Sequence, residues 1–342
     1  MYRSPLGHEH ILKLLRQTVA EERPAHAYLF SGPEGIGKKL VAIRFAAMLN
    51  CPQPQDDSSA SCPVCRRICE EKHPDFIIEK PLRGMIRIDR VRYVQSFFQF
   101  APVEGFYRVA IVDDAHSMNR AAQNALLKTL EEPPAGRVLI LVSSKPFLLL
   151  PTVRSRCRRV RFGPIRTDIL AEILEQQGLG GDKISLIAAA SGGSVARALE
   201  MSASHFLDLR RQMIDILADS TRVPIRANLE LSTEVSKDRD VALDAIGIGF
   251  SWIRDLLAVK EGFAGSEIIN SDLLDRLVFS AEHLTREQLF SIYDELVKAS
   301  ELIEAEINVN RNLTMDVLFL RIRRILAEPA PRVAERLSAG GR

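Results

Sequence analysis

Ala27-Tyr28-Leu29-Phe30-Ser31-Gly32-Pro33-Glu34-Gly35-Ile36-Gly37-Lys38-Lys39-Leu40, running on to Leu49, is the stretch whose reading decides the fold. Ala27–Phe30 is a short apolar run with aromatic residues and no polar alternation, as expected of a strand buried on both faces. The apolar segment Leu40–Leu49 reads as a helix. Between them, Gly32, Gly35 and Gly37 allow backbone N–H groups to turn inward, so that strand, glycine loop and helix together form a phosphate-binding loop, or P-loop. The helix N-terminus adds its dipole, and Lys38 can reach the β- and γ-phosphates. The next position normally carries Ser or Thr to coordinate Mg²⁺. Here it is Lys39, a second cation with no acceptor for a metal.

Four further apolar runs qualify as strands: Phe76–Ile78, Val109–Val112, Val138–Val142 and Val160–Phe162. They alternate with helical patterns over residues 1–164, which predicts an α/β domain with a parallel five-stranded sheet covered on both faces. The run Val109–Val112 ends in Asp113-Asp114, where a Walker B strand places a metal-binding acid followed by a catalytic Glu. Asp114 is one methylene shorter than that Glu, and small misplacements of a group that positions water are costly. Lys39 and Asp114 together argue against efficient hydrolysis. After Pro164 the strand signals fade. Thr167 is expected to cap a helix carrying Ile169, Leu170, Ile173 and Leu174 on one face and ending at Gly178. Helical patterns follow at Ile184–Ala190 and Val195–Met201, split by Gly192 and Gly193, and longer amphipathic helices begin near His205. The expected domains are 1–164, 165–204 and 205–328, with a mobile tail at 329–342.

The chain has 342 residues, 46% of them hydrophobic and 26% charged, with a formal net charge of +2. It is long enough for more than one core, and no whole-molecule field draws it to nucleic acid or to an acidic membrane. Near-neutral charge and the lack of a recognition motif disfavour a sequence-specific nucleic-acid-binding module. Met1–Gly7 lacks the apolar core of a signal peptide, and no apolar run approaches the ~20 residues that span a bilayer, so a cytoplasmic protein is expected.

Two clusters remain. Pro151-Thr152-Val153-Arg154-Ser155-Arg156-Cys157-Arg158-Arg159 lies before the fifth strand, and five arginines fall between 154 and 161. A solvated basic edge or a phosphate-backbone contact would explain such a run. The sharper reading makes Arg156 an arginine finger, a planar fork that is always charged and is aimed at a γ-phosphate bound by a neighbouring subunit. Of five cysteines, four lie between Cys51 and Cys69, too few for a disulfide scaffold and clustered as metal ligands are. Cys62 and Cys65 form a two-ligand knuckle, and four thiolates suit a structural Zn²⁺. His73 is a substitute ligand or serves the turn before Pro74, and Cys157 reads as a small packed residue.

Taken together, several stretches resemble the delta-prime subunits of the bacterial DNA polymerase III clamp loader, within the AAA+ ATPases. They are Gly7-His8-Glu9, His26–Gly35, His73-Pro74-Asp75, Asn124–Pro134 and Ser155-Arg156-Cys157, with weaker likeness at Ser191–Leu199 and Asn308-Val309-Asn310. The helix Asn124–Glu132 has its own reading: Ala125, Leu126 and Leu130 face the sheet, and Pro133 and Pro134 stop it. The resemblance implies a P-loop AAA+ domain, a small helical lid domain and an all-α collar that holds subunits in a ring. It implies a hetero-pentamer with gamma/tau and delta subunits that places a sliding clamp on primer–template DNA, with ATP and Mg²⁺ at the neighbouring subunit. It also implies little ATP hydrolysis by this chain, in keeping with Lys39 and Asp114. The alternative is an active gamma/tau-like ATPase; the missing Ser or Thr, and a chain that stops soon after the collar, favour delta-prime. The family carries a four-cysteine zinc site within an insertion here at 51–73, with more even spacing. Ser59 falls where that pattern has a ligand, so either Cys69 takes over as the fourth or the site keeps three cysteines.

Overall fold

The computed structural model describes residues 6–21, 24–52, 62–180, 183–203, 205–219, 223–263, 268–305 and 309–327. The expected tail, Ser59 and Asn308 lie outside them. The chain divides into two compact units, one of residues 1–180 with 191–199, the other of 181–190 with 200–342.

The first unit runs α1 (Glu9–Ala20), β1 (Ala27–Ser31), α2 (Lys38–Asn50), α3 (Pro63–Cys69), β2 (Phe76–Glu79), α4 (Ile88–Gln99), β3 (Arg108–Val112), α5 (Arg120–Glu131), β4 (Arg137–Ser143), α6 (Pro151–Ser155), β5 (Arg158–Arg161) and α7 (Thr167–Gln176). All five expected strands form. They make one sheet in the order β2-β3-β4-β1-β5, with every pairing parallel. Side-chain alternation divides the core between the faces. Tyr28, Phe30, Val109, Ile111, Ile140 and Phe162 point to the layer built by α1, α2 and α3. Ala27, Leu29, Ala110, Val112, Leu139 and Leu141 point to the layer of α4, α5 and α6. Helix α5 is stopped before Pro133 as expected and buries Leu126 and Leu130; Ala125 is only half-buried, and Ala122 and Gln123 take the inner positions.

Thr167 does not cap α7. Arg166 holds the N-cap position with no side-chain cap bond, and Thr167 is the first helical residue. The approach to the helix is set instead by Ile165, whose N–H donates to the Gly193 carbonyl at 3.1 Å. Gly193 has φ +82°, and a Cβ there would lie 2.7 Å from the Ile165 backbone.

The second unit is all helical: α8 (Lys183–Ala190), then, after α9 (Val195–Ala203), α10 (Phe206–Asp219), α11 (Ile225–Val235), α12 (Arg239–Lys260), α13 (Leu274–His283), α14 (Arg286–Glu304) and α15 (Arg311–Ala327). Helix α12 carries the fully buried Trp252, and its Gly249 lies so close to α14 that a Cβ would meet the Leu296 side chain at 2.8 Å. A buried polar chain ties the helices together. Arg210 bonds Asn270 Oδ1 at 2.8 Å and Asp272 at 2.7 Å, and Asn270 Nδ2 donates to Asp255 at 2.8 Å.

In the first unit the sheet edge is anchored by Asp75. Its carboxylate accepts N–H bonds from Val103 (2.8 Å), Glu104 (2.8 Å) and Gly105 (2.9 Å) and pairs with Arg108 at 3.2 Å. Burial pushes the carboxyl up, but the three N–H donors and the guanidinium outweigh it and hold it below the ordinary carboxylate value. Its contribution is therefore present above the ordinary carboxylate range and lost as pH falls through the depressed value. Asp75→Asn leaves the buried Arg108 uncompensated and is expected to destabilise the domain by about 3 kcal/mol, read as a lower denaturant midpoint. A shift below about 0.5 kcal/mol would mean that Arg108 finds another partner.

Candidate functional site

The loop after β1 opens over the carboxyl edge of the sheet, where β1 lies between β4 and β5. Gly35 (φ +72°) and Gly37 (φ +91°) hold left-handed backbone, and nothing lies within 4 Å of where a Gly37 Cβ would sit. Gly37 is the N-cap of α2, so this helix end presents free N–H groups to the loop. Lys38 is only 7% exposed, and its ammonium donates to the Pro33 carbonyl within the loop. Burial lowers its pKa, against the raising effects of Asp114, Glu34 and Asp113.

Lys39, at the position of the expected Ser or Thr, reaches across to the end of β3 and pairs with Asp113, Nζ to Oδ2 3.0 Å. Asp114 follows with φ +45°, a left-handed conformation that is uncommon outside glycine. Burial raises the Asp114 pKa, and the Asp113 charge raises it further. His116 lies alongside, its pKa lowered by burial, with Nδ1 3.3 Å from Ser143 Oγ at the end of β4. The two acids and two lysines inferred from sequence thus converge. The Lys39–Asp113 pair, the His116–Ser143 contact and the seat of Ala196, whose N–H donates to the Gly35 carbonyl at 3.2 Å, were not legible there. Mg²⁺ does not fit this arrangement: its hydroxyl ligand is absent, and the carboxylate that would hold it already binds an ammonium.

Three of the five arginines have a structural explanation. Arg158, Arg159 and Arg161 are exposed on β5, the last strand of the sheet, where charge discourages edge pairing. Arg156 sits just past α6. Its guanidinium, 36% exposed, pairs with Glu131 on α5 at 2.7 Å and donates to the Thr152 carbonyl at 3.0 Å. Glu131 was the partner missed, although it stands in the quoted Asn124–Pro134 stretch. Cys157 is buried in the sheet core and pushed up to about 12 by burial, as a packed thiol should be.

Cys51 caps the end of α2, Cys62 precedes α3, and Cys65 lies on it. Their sulfurs fall within 4.8 Å of one another, with Cys51 and Cys62 3.9 Å apart. Thiolates around one tetrahedral zinc at 2.3 Å would be about 3.8 Å apart, so the trio suits a metal. Cys69 does not join it, contrary to its expected place as fourth ligand. It lies four residues beyond Cys65 on α3, and its sulfur is not among those gathered within 4.8 Å of one another. Its thiol is pushed up by burial, offset by the Arg44 charge. Burial pushes Cys65 up strongly; at Cys62 burial is outweighed by N–H bonds from Cys65 and Val64, and its pKa falls. His73 serves the turn: Nδ1 accepts the Asp75 N–H at 3.1 Å, and the buried Nε2 has no partner among the described residues.

A parallel sheet in this order, with a glycine loop behind β1 and an acid pair behind β3, defines a P-loop domain of the AAA+ class. Two family profiles match the chain, one described as DNA polymerase III, delta subunit, over residues 7–166, the other as the C-terminal part of that subunit, over 204–324. The chain is 27% identical over 305 residues to the DNA polymerase III subunit delta′ of Pseudomonas aeruginosa, covering 87% of this chain and 91% of that one. It is 26% identical to the delta′ subunit of Bacillus subtilis, covering 91% and 95%. With the Bacillus subtilis subunit tau it shares 34% identity over 203 residues, 57% of this chain but only 36% of that longer relative. The chain belongs to the delta-prime subunit family of DNA polymerase III. Among the described residues, no helix is long and apolar enough to cross a membrane.

A Gly35 side chain would overlap Ser194 Oγ at 2.1 Å and approach the Ala196 Cβ at 2.9 Å. Gly35→Ala is expected to cost about 1–3 kcal/mol through left-handed strain and loss of that contact. It should also speed amide exchange over residues 191–199. An unchanged midpoint and unchanged exchange would show that the contact is not formed in solution.

Proposed function

We propose that this chain is a clamp-loader subunit that hydrolyses little or no ATP itself and completes a neighbouring subunit's ATP site with Arg156. The observation that carries this reading is the contrast between the two ends of the chemistry. The chain's own metal position is filled by Lys39, while a half-exposed guanidinium stands at the surface, held by a carbonyl and a surface carboxylate. An exposed ion pair contributes little, so Glu131 can release Arg156 to a stronger anion. A γ-phosphate in transfer is such an anion, and a fork with two donor edges suits its equatorial oxygens.

The partners in this reading are gamma/tau and delta subunits in a hetero-pentamer, the sliding clamp and, through the complex, primer–template DNA, all in the cytoplasm. Residues 165–204 act as a lid and 205–328 as the collar that joins the ring. ATP and Mg²⁺ belong to the neighbouring site. The tau relatives are the more similar by identity, which favours an active ATPase as the second reading. Against it stand Lys39 and Asp114. Turnover by the isolated chain that Lys38→Ala abolishes would favour that second reading.

Arg156→Ala is expected to leave folding and assembly intact and to slow hydrolysis at the adjacent site by about a thousandfold, with the complex keeping the turnover of its other sites. Arg154→Ala and Arg158→Ala serve as controls: equal losses in all three would assign the segment to general basic charge, and full activity in Arg156→Ala would remove the trans role.

The cysteine trio carries a second expectation, one structural Zn²⁺ per chain bound by Cys51, Cys62 and Cys65 with one further ligand. Metal analysis of protein purified without chelator should find it, Cys65→Ser should lose it and Cys69→Ser should retain it. Zinc-free wild-type protein would end the proposal.

A further inference from the structure

The Lys39–Asp113 pair has a consequence for what the loop can bind. In an ordinary P-loop site the polyphosphate arrives with a divalent cation, held between a hydroxyl at the start of the helix and an acid at the end of the neighbouring strand. Here both anchors are one ion pair. The ammonium of Lys39 lies 3.0 Å from Asp113, with the two side chains 32% and 17% exposed, so the pair sits at the mouth of the loop rather than in bulk water. A divalent ion at Asp113 would have to displace the ammonium or sit beside it as a like charge, and it would gain no hydroxyl ligand in return.

The rest of the cradle is intact. Gly35 and Gly37 hold the left-handed backbone that turns N–H groups inward, open space lies over Gly37, and Lys38 is buried at the base of the loop. An ammonium has three donors, and Asp113 uses one of Lys39's. Two lysines at the start of α2 therefore face whatever enters, with no metal needed to balance its charge.

We propose that this loop is a P-loop with a built-in cation, one that takes the polyphosphate chain of a nucleotide in its metal-free form and rejects the Mg²⁺ complex. The inference rests on the reading of this loop as a non-hydrolysing site, but not on the trans role of Arg156. It places Lys39 as the specificity-determining residue. Lys38 is the anion ligand proper, and it exchanges the Pro33 carbonyl for phosphate oxygen when ligand enters.

The test uses the full chain and the fluorescent nucleotide mant-ATP, titrated in EDTA and again in excess Mg²⁺, with unlabelled ATP and inorganic tripolyphosphate as competitors. Wild-type protein is expected to bind in EDTA and to lose at least about tenfold in affinity when Mg²⁺ is added. Tripolyphosphate should compete if the phosphate chain is the recognised part; competition by ATP alone would assign recognition to the nucleoside and overturn the ligand class. Lys39→Thr restores the hydroxyl and frees Asp113, so its response should invert, with Mg²⁺ strengthening binding. Asp113→Asn removes the pair from the other side and should bind in EDTA at least as well as wild type while gaining nothing from Mg²⁺. Lys38→Ala should bind under neither condition. Wild-type binding that requires Mg²⁺, or no detectable binding with or without it, would overturn the proposal. Assembly with the other subunits, measured on the same proteins, keeps this outcome separate from the clamp-loader reading: a chain that assembles but binds no metal-free nucleotide refutes only the inference made here.

Discussion

Strand β1 pairs in parallel with β4 on one side and β5 on the other, and the placement of every functional group follows from that. Parallel pairing sends all carboxyl ends to one edge, and both neighbours of β1 come later in the chain, so the loop leaving β1 must turn up between their ends. Ser31 is aligned with Ser143 of β4 and Arg161 of β5, and the Gly32 N–H donates to the Ser143 carbonyl at 3.3 Å. Asp113 arrives on the far side of β4, within reach of a lysine side chain from the first turn of α2. Residue types at one sheet edge, rather than sequence proximity, make the site.

That edge has kept its architecture while changing its charge. A phosphate loop with one lysine, one hydroxyl and two acids calls for a divalent ion to complete it; with two lysines and two acids, one acid is already neutralised by a neighbour. Asp114 is affected too. Short, left-handed and half-buried, it lies beside the charge of Asp113, and burial together with that charge holds its carboxyl above the ordinary value. Lys39 and Asp114 thus stand at the two positions of the proposed site that bear on separate requirements of hydrolysis, metal and water.

Much of this was legible in the chain because it is local. The five strands are apolar runs and the P-loop is a contiguous pattern, so periodicity and glycine spacing locate both; the all-α second unit follows from fading strand signals. What was not legible depends on contacts between distant positions. Lys39 and Asp113 are individually recognisable as altered motif residues, but their pairing needs the strand order. Glu131 appears in sequence only as an exposed helical acid, and its hold on Arg156 requires α5 and α6 to be neighbours. Thr167 has the composition of a cap, yet the chain entering α7 is fixed by the bond from Ile165 to Gly193, and tertiary anchoring prevails over local capping preference. Cys69 clusters with the other cysteines in sequence, yet only the sulfurs of Cys51, Cys62 and Cys65 gather within 4.8 Å of one another.

The cysteine trio and the phosphate loop are joined by one helix. α2 begins at Gly37, in the loop, and ends at Cys51, in the trio, and all but two of its residues are buried, among them the lysine that opens it and the asparagine that closes it. A helix enclosed on nearly every side has little freedom to shift along its axis, because each side chain is seated between the sheet, α1 and α3. Asn50, at its last turn, also accepts the Tyr107 N–H at 2.9 Å at the entry to β3, so the end of α2 is registered against the strand that delivers Asp113. A metal gathered by Cys51, Cys62 and Cys65 would clamp α3 to this same end. On that arrangement the metal cluster has no chemistry to perform. It would fix the far end of the rod whose near end sets Lys38 and Lys39 against the acids of β3, and so would support the geometry of the phosphate loop.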